Sequence, residues 1–246
     1  MLSQCPSFKK LSEEDRVIVK KLVGFLMNNN FSKEQAWSQV KLLFTSSKNL
    51  DQVKRLIYGH YTEFLFEKFC LENGISYKWN NGSNSTFIYT GYYLDQNDYL
   101  RENDSSDLRE KTMLSTDFKI KSKNGKYLID IKYTNSKTSF FKLSKGECFP
   151  GFSCPYFKKS ELLKYYNQCQ QSNYSGAWIQ LNIINKEDPF SIIKTVFIDI
   201  EETLNELEDE RSTKVISHIT KKGLELVIFN LKECYSIEEF LDLINN

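Results

Sequence analysis

Two carboxylates and a lysine lie close together near the middle of this 246-residue sequence. Twelve residues separate Asp117 from Asp130, and Lys132 follows the second acid after one more residue. Carboxylate oxygens are the ligands that Mg²⁺ prefers, and Mg²⁺ activates water and neutralises charge on phosphate. A lysine beside them can orient the attacking water and oppose the negative charge that develops on phosphorus. These residue types therefore predict hydrolysis of phosphodiesters, and the alternative is a surface hairpin with cross-strand salt bridges.

A β-hairpin is expected to bring the three side chains together. The dipeptide Asn124-Gly125 is typical of a two-residue type I′ turn, because both central positions of that turn need positive φ. A two-residue loop would pair Lys123 with Lys126, and the same register would place Lys119 opposite Asp130.

This register would also place Asp117 opposite Lys132 and diagonal to Asp130. Asp130 and Lys132 are two residues apart, so they share one face of the strand. The opposite face is left to residues that can join the core, namely Ile129, Ile131 and Tyr133. The pattern thus predicts that both acids and the lysine meet on one patch.

The pattern resembles the PD-(D/E)XK nuclease superfamily, with Thr116 in the place of the proline and Asp130 as the second acid. That family commonly has an upstream helix with a G-x-x-x-E element, and Gly59 to Glu63 fits it. The local sequences and the spacing of the two acids resemble blunt-cutting type II restriction endonucleases of the EcoRV/HincII kind. The resemblance covers roughly residues 50–140.

The resemblance implies a fold and a set of roles. The fold would be α+β with an α/β core: a restriction-endonuclease-like central mixed β-sheet flanked by helices. A helical N-terminal segment (residues 1–48) would precede a nuclease domain (residues 49–246). In that domain Asp117 and Asp130 would bind Mg²⁺, and Lys132 would be the catalytic lysine.

Further ligands are implied in the same way. The carbonyl of Ile131 could contribute to the metal site, and Glu63 could be a ligand or lie just behind the ligands. The alternative for Glu63 is an exposed helix glutamate. The roles of His60 and Glu67, which lie on the same predicted helix, stay open.

Charge is unevenly distributed although the chain as a whole has a net charge of +1. Residues Lys119 to Lys164 include eleven lysines and three acids, whereas Asp199 to Glu210 include seven acids and no base. Near-neutral net charge argues against binding by bulk charge, but a local basic surface can hold the phosphate backbone. The candidate DNA contacts are Lys119, Asn135, Ser136, Lys137 and Thr138.

Other classes of protein are excluded by composition. No apolar run approaches the ~18 residues of a membrane span, and the first ten residues show no secretory signal. The six cysteines form no C-x-x-C pair and there are only two histidines, so a structural zinc site is not expected. The expected location is cytoplasmic, with reduced thiols.

Hydrophobic periodicity and cap signals predict the elements that must position the site. Helices are expected over residues 12–27, 32–44, 50–72, 158–171, 201–211 and 236–243. Strands are expected over residues 75–79, 85–94, 114–121, 126–134, 176–184, 192–200 and 224–230. Helices that precede mixed strands and helices favour one sheet in an α+β or α/β arrangement.

Three functions are compatible with this sequence. The first is a type II restriction endonuclease that cuts double-stranded DNA as a homodimer on a palindrome, for which a cognate methyltransferase could exist. The second is a repair, junction or RNA endonuclease on the same core. The third is a nucleic-acid-binding module without catalysis.

Overall fold

The chain is represented by a computed structural model. It describes residues 12–28, 32–37, 40, 50–80, 92–94, 100–102, 116–135, 155–185, 191–209 and 211–245. Contacts divide the chain into two units, Met1–Tyr61 with Ser83–Leu114 and Thr62–Gly82 with Ser115–Asn246. The boundary expected at residue 48 stays a prediction.

In chain order the elements are α1 (Glu13–Asn28), α2 (Leu50–Glu72), β1 (Ser76–Trp79), β2 (Tyr92–Leu94), β3 (Leu100–Glu102), β4 (Phe118–Lys121), β5 (Lys126–Asn135), β6 (Tyr156–Lys158), α3 (Lys159–Gln171), β7 (Gly176–Ile184), β8 (Ile192–Asp199), α4 (Ile200–Glu206), β9 (Val215–Ile219), β10 (Glu225–Phe229) and α5 (Ile237–Asn245). None of the helices in the described ranges combines the length and hydropathy that a membrane span requires.

The first unit contains α1, the beginning of α2 and a short antiparallel hairpin of β2 and β3. The predicted start of a helix at Ser32 is confirmed, because residues 33–37 are helical. Ser32 N–H donates to Gln35 Oε1 at 2.8 Å, and Gln35 N–H donates to Ser32 Oγ at 3.2 Å. This reciprocal pair is a capping box.

The second unit is built on a mixed sheet in the order β1-β4-β5-β7-β8. Strands β5 and β7 run parallel, and the other neighbours in this sheet are antiparallel. A second sheet has the order β6-β10-β9. The predicted α+β architecture, a mixed central sheet flanked by helices, is confirmed.

Both faces of the large sheet are packed, since β7 is buried along its whole length. One face contacts α2 and α5 through Phe66, Phe118, Ile129, Phe197 and Phe240. The other face contacts α3 and the second sheet through Leu128, Leu162, Ile179, Val227 and Phe229. Strand β5 therefore contributes alternate residues to two cores.

The predicted hairpin between β4 and β5 exists, but its predicted register is wrong. Lys121 pairs with Lys126, and Lys119 pairs with Leu128 instead of Asp130. The connection spans four residues, and Ser122 N–H donates to the carbonyl of Gly125 at 3.0 Å. If this pairing is extended by one residue beyond Phe118 and Ile129, Asp117 lies across from Asp130 and not from Lys132.

The turn differs because Gly125 has a different role from the predicted one. Its φ is not in the left-handed region, as a type I′ turn would require. A Cβ at this position would lie 2.0 Å from Ser175 Oγ. Ser175 also joins the hairpin directly, since its N–H donates to the Lys126 carbonyl at 2.7 Å. Gly125 thus allows a close approach of two chain segments.

Other element predictions had mixed outcomes. Gly74 ends α2 with φ 65°, as its cap signal predicted. The short strands β3, β6 and β9 were not predicted. Helix α4 ends at Glu206, not at Arg211, because acids are unfavourable at the negative end of a helix dipole.

Candidate active site

Asp117 lies immediately before β4 and is held by the backbone of the next strand. Its Oδ2 accepts a hydrogen bond from Ile131 N–H at 2.7 Å. The pairing of β4 with β5 ends at Phe118 and Ile129. The Asp117 carboxylate therefore lies where the next backbone pairing between these two strands would be. Only 7% of Asp117 is exposed. The backbone thus fixes one carboxylate at the edge of the core.

Asp130 and Lys132 lie on the same face of β5 and form an ion pair. Lys132 Nζ lies 2.7 Å from Asp130 Oδ2. The two side chains differ in exposure, 2% for Asp130 and 32% for Lys132. Between them, Ile131 belongs to the core on the opposite face. The period of two in the strand therefore separates the charged patch from the core, as predicted.

The surroundings of Asp117 and Asp130 disfavour the charged forms of both carboxylates. Burial raises the pKa of Asp117 well above its ordinary value, and the charges of Asp130 and Glu63 raise it further. Lys132 and the Ile131 N–H act in the opposite direction but do not outweigh these effects. Burial also raises the pKa of Asp130 despite its ion pair with Lys132. One lysine is thus too little positive charge for this group of acids.

Lys132 is kept in its charged form. Burial would lower the pKa of Lys132, but the nearby Asp130 and the other acidic groups raise it well above its ordinary value. The side chain thus presents a permanent ammonium group to the patch at neutral pH.

Helix α3 adds two residues that the sequence did not single out as site residues. Glu161 Oε1 lies 3.2 Å from Lys132 Nζ and accepts a hydrogen bond from Tyr165 Oη at 3.1 Å. Lys132 Nζ also donates to Tyr165 Oη at 3.4 Å. The available signal was the four-residue spacing of a carboxylate and a tyrosine on a predicted helix that follows the hairpin.

Thr116, which precedes the first aspartate, is fixed by hydrogen bonds to two other elements. Its N–H donates to Gln168 Oε1 at 3.4 Å, a bond that proline could not make. Its Oγ1 accepts from Asn80 Nδ2 at 2.9 Å, and Asn80 N–H donates to the Asp117 carbonyl at 2.8 Å. These bonds join β1 and α3 to the segment that carries the first aspartate.

The structure places the other predicted residues in different surroundings. Glu63 is buried on α2, with 7% exposed, and lies near enough to affect the pKa of Asp117. Glu67 faces Tyr77, where burial and the glutamate raise the pKa of Tyr77 to about 12. The contact shown for Ile131 is made by its N–H, and a role for its carbonyl stays a prediction.

Most of the predicted DNA contacts cannot be placed. Asn135 is the last residue of β5. Ser136, Lys137 and Thr138 lie outside the described residues, as does the side chain of His60. Lys119 lies on β4 between Lys78 of β1 and Leu128 of β5.

The donor set fits a hard divalent cation bound by few protein ligands. Asp117 and Asp130 are buried carboxylates with raised pKa values, and a dication would relieve the repulsion between their charged forms. Mg²⁺ usually takes one or two carboxylates and keeps several waters. Within the described ranges, no group of three or more His, Cys, Asp and Glu side chains is arranged to hold a metal. The fit is therefore to a site with two carboxylates.

Comparisons with known proteins found similar solved structures but no matching family model or curated protein. Among solved structures, a Holliday junction resolvase from Archaeoglobus fulgidus is similar, with a TM-score of 0.40 and 8% sequence identity. The similarity covers 75% of this chain and 95% of the resolvase.

Proposed function

We propose that this protein is a divalent-metal-dependent endonuclease that hydrolyses phosphodiester bonds of DNA. The observation that carries the proposal is the pair of buried aspartates with a charged lysine at 2.7 Å from one of them. Strongly perturbed carboxylates beside a lysine are typical of catalytic sites.

In this proposal Asp117 and Asp130 would hold Mg²⁺, with the carbonyl of Ile131 and the carboxylate of Glu63 as further candidate ligands. When bound, the ion would lower the pKa of water and neutralise charge on the scissile phosphate. The Ile131 N–H keeps Asp117 oriented toward the patch.

Lys132 would stabilise the negative charge that develops on phosphorus. Asp130 holds its ammonium from one side, and Glu161 holds it from the other. Tyr165 donates to Glu161 and accepts from Lys132, so it limits the movement of both groups. Because the ammonium group is already oriented before the reaction, little reorganisation of the site is needed to reach the transition state.

The finer proposal concerns the form of the DNA. The resemblance of the motif favours a type II restriction endonuclease, which would act in the cytoplasm as a homodimer on a palindromic duplex. Branched DNA is the second candidate, and it matches the activity for which the similar archaeal protein is named. RNA is a third substrate that the same core could cut.

Incubation of the purified protein with Mg²⁺ and three substrates tests this proposal. A plasmid cut at defined sites supports the restriction enzyme, and a four-way junction cut near its branch supports the resolvase-like activity. A structured RNA provides the third comparison. We expect Asp130→Asn to abolish cleavage of the preferred substrate and to keep its binding. Full activity in this variant would exclude the proposed site, and binding without cleavage by the unmodified protein would indicate a non-catalytic module.

A further inference from the structure

Four lysines share a face of the large sheet with the two aspartates. Lys78 of β1 pairs with Lys119 of β4, and Lys121 of β4 pairs with Lys126 of β5. Directly paired residues in antiparallel strands point to the same face, and so do residues two apart. This lysine strip (Lys78, Lys119, Lys121 and Lys126) therefore lies on the face that includes Asp130.

The strip places like charges next to each other. Directly opposite residues have Cβ atoms about 4.5–5.5 Å apart, and like charges at that distance are destabilising. Lys78, Lys121 and Lys126 are exposed and Lys119 is half-buried. Among the described residues, none makes an ion pair or a hydrogen bond with an ammonium group of the strip.

Several other lysines of the second unit are paired with acids. Such pairs join Lys68 to Glu72, Lys132 to Asp130, Lys159 to Glu225 and Lys214 to Glu202. The strip is different because its repulsion is not offset within the described part of the protein. An arrangement of this kind fits a polyanionic partner that supplies the missing negative charge.

The position of the strip fits a phosphate backbone that enters the candidate active site. Lys119 and Lys121 are two and four residues from Asp117, which corresponds to about 7 and 13 Å along a strand. Phosphates on one DNA strand are spaced about 3.4 Å along the helix axis. The strip would therefore contact phosphates roughly two to four nucleotides from the one at the aspartates.

We infer that the lysine strip is the surface that holds the DNA backbone and leads it to Asp117 and Asp130. This inference rests on the proposed nuclease function and assigns the path of its substrate. Phosphate contacts position a duplex without reading its sequence. The strip would thus serve a defined site and a branched substrate equally well.

The rival explanation is protection of the sheet edge. Strand β1 is at the edge of the sheet, and lysines at such edges prevent pairing with other chains. That explanation accounts for Lys78 on β1. It does not account for Lys126 on β5, which has neighbours on both sides.

Two double variants and a matched control test the strip. The strip variants are Lys78→Gln with Lys119→Gln, and Lys121→Gln with Lys126→Gln. The control, Lys221→Gln with Lys222→Gln, removes two exposed lysines from the turn between β9 and β10. All three are made in an Asp130→Asn background, so that binding can be measured without cleavage.

Binding to a 30-base-pair duplex and to a four-way junction is measured by fluorescence anisotropy at several salt concentrations. Each phosphate contact contributes about 0.9 to the slope of log affinity against log salt. We expect each strip variant to lower the slope by about 1–2 and to weaken binding roughly tenfold at 150 mM salt. The control should change neither quantity.

The failures of the two proposals are distinguishable. The proposed role of the strip is excluded if both strip variants bind DNA as tightly as the Asp130→Asn parent. It is also excluded if that parent binds neither the duplex nor the four-way junction. Aggregation of the strip variants with unchanged binding would also exclude it and support edge protection. If the strip variants lose binding but the protein with Asp130 intact cuts no substrate, the strip stands and the nuclease proposal fails.

Discussion

Two clusters in this protein contain the same kinds of side chain but hold their charges in opposite ways. The candidate active-site cluster consists of Asp117, Asp130, Lys132, Glu161 and Tyr165. The α4 cluster consists of Glu202, Glu206, Lys214 and Tyr235. Each has one lysine, one tyrosine and several carboxylates linked by short contacts.

The α4 cluster is partly exposed, and hydrogen bonds satisfy its central carboxylate, Glu202. Burial alone would raise the pKa of Glu202, but hydrogen bonds from Lys214 and Tyr235 lower it below its ordinary value. Tyr235 Oη donates to Glu202 Oε2 at 2.5 Å, and Lys214 Nζ lies 3.9 Å from a carboxylate oxygen of Glu206. The charged form of Glu202 is thus the stable one.

The candidate active-site cluster is buried more deeply, and the charged forms of its two aspartates are not stabilised to the same extent. Burial raises the pKa values of Asp117 and Asp130 in spite of Lys132, and the charge of Asp130 raises the pKa of Asp117 further. The comparison shows that the number of contacts does not indicate function. The informative difference is whether groups of the protein itself stabilise the charges, or whether a bound cation and phosphate would be needed to do so.

The largest expected effect separates the two lysines. We expect Lys132→Ala to reduce the rate of Mg²⁺-dependent DNA cleavage roughly 10²–10³-fold, because one oriented charge at the reacting phosphate is lost. Lys214→Ala should leave cleavage unchanged. Single-turnover cleavage of the preferred substrate measures both. Equal rates for the two variants would remove the functional distinction between the clusters.

A smaller loss of activity is expected from changing Glu161, the second carboxylate that contacts Lys132. The corresponding second carboxylate near Lys214 is Glu206. Glu161 holds the ammonium of Lys132 without touching the proposed metal site, so it is a positioning residue. We expect Glu161→Gln to lower kcat about tenfold with little change in KM, since a loosely held lysine is charged but poorly placed. Glu206→Gln is the matched control. A change in KM alone would assign Glu161 to substrate binding instead.

Sequence could predict the part of the site that depends on side chains alternating between the two faces of one strand. Asp130 and Lys132 share a face in any register, because the period of two is local. The predicted partner of Asp117 was wrong by two positions, since the turn at Gly125 has four residues. A shift of two keeps the face and changes only the neighbour, so the patch itself was predicted correctly.

The missing residues depended on packing between distant elements. Glu161 and Tyr165 reach Lys132 only because α3 lies across that face of β5, and helical spacing alone does not say which sheet a helix covers. The pairing of lysines across β1, β4 and β5 likewise needed the true register. Strand order and register are tertiary properties that a local pattern does not contain.

Stability should change in opposite directions when each cluster loses a carboxylate charge. Without metal, we expect Asp117→Asn to stabilise the protein by about 1 kcal/mol, or roughly 2–4 °C in Tm, because a buried repulsive charge is removed. Asparagine Oδ1 can still accept from the Ile131 N–H. Glu202→Gln should destabilise it by about 0.5–1 kcal/mol, a value limited by the partial exposure of Lys214.

Mg²⁺ provides the control for this pair of variants. Binding to the native state should raise the Tm of the unmodified protein and of Glu202→Gln, but not of Asp117→Asn. Thermal denaturation with and without Mg²⁺ measures all three. If Asp117→Asn is destabilising without metal, the aspartates are a structural pair and not a site held ready for a cation.

The smallest expected effect is the pH dependence of the Tm differences between the two variants and the unmodified protein. The pKa of Glu202 is lowered in the folded state, so its contribution is complete above its unfolded value of 4.5 and is lost as pH falls through the folded value. The pKa of Asp117 is raised, so its destabilising effect is absent below 3.8 and grows as pH rises through the folded value. The Tm of each variant should therefore approach that of the unmodified protein in acid, from opposite sides. Differences that persist unchanged from pH 7 to pH 4 would show that the variants act through packing, since packing does not titrate.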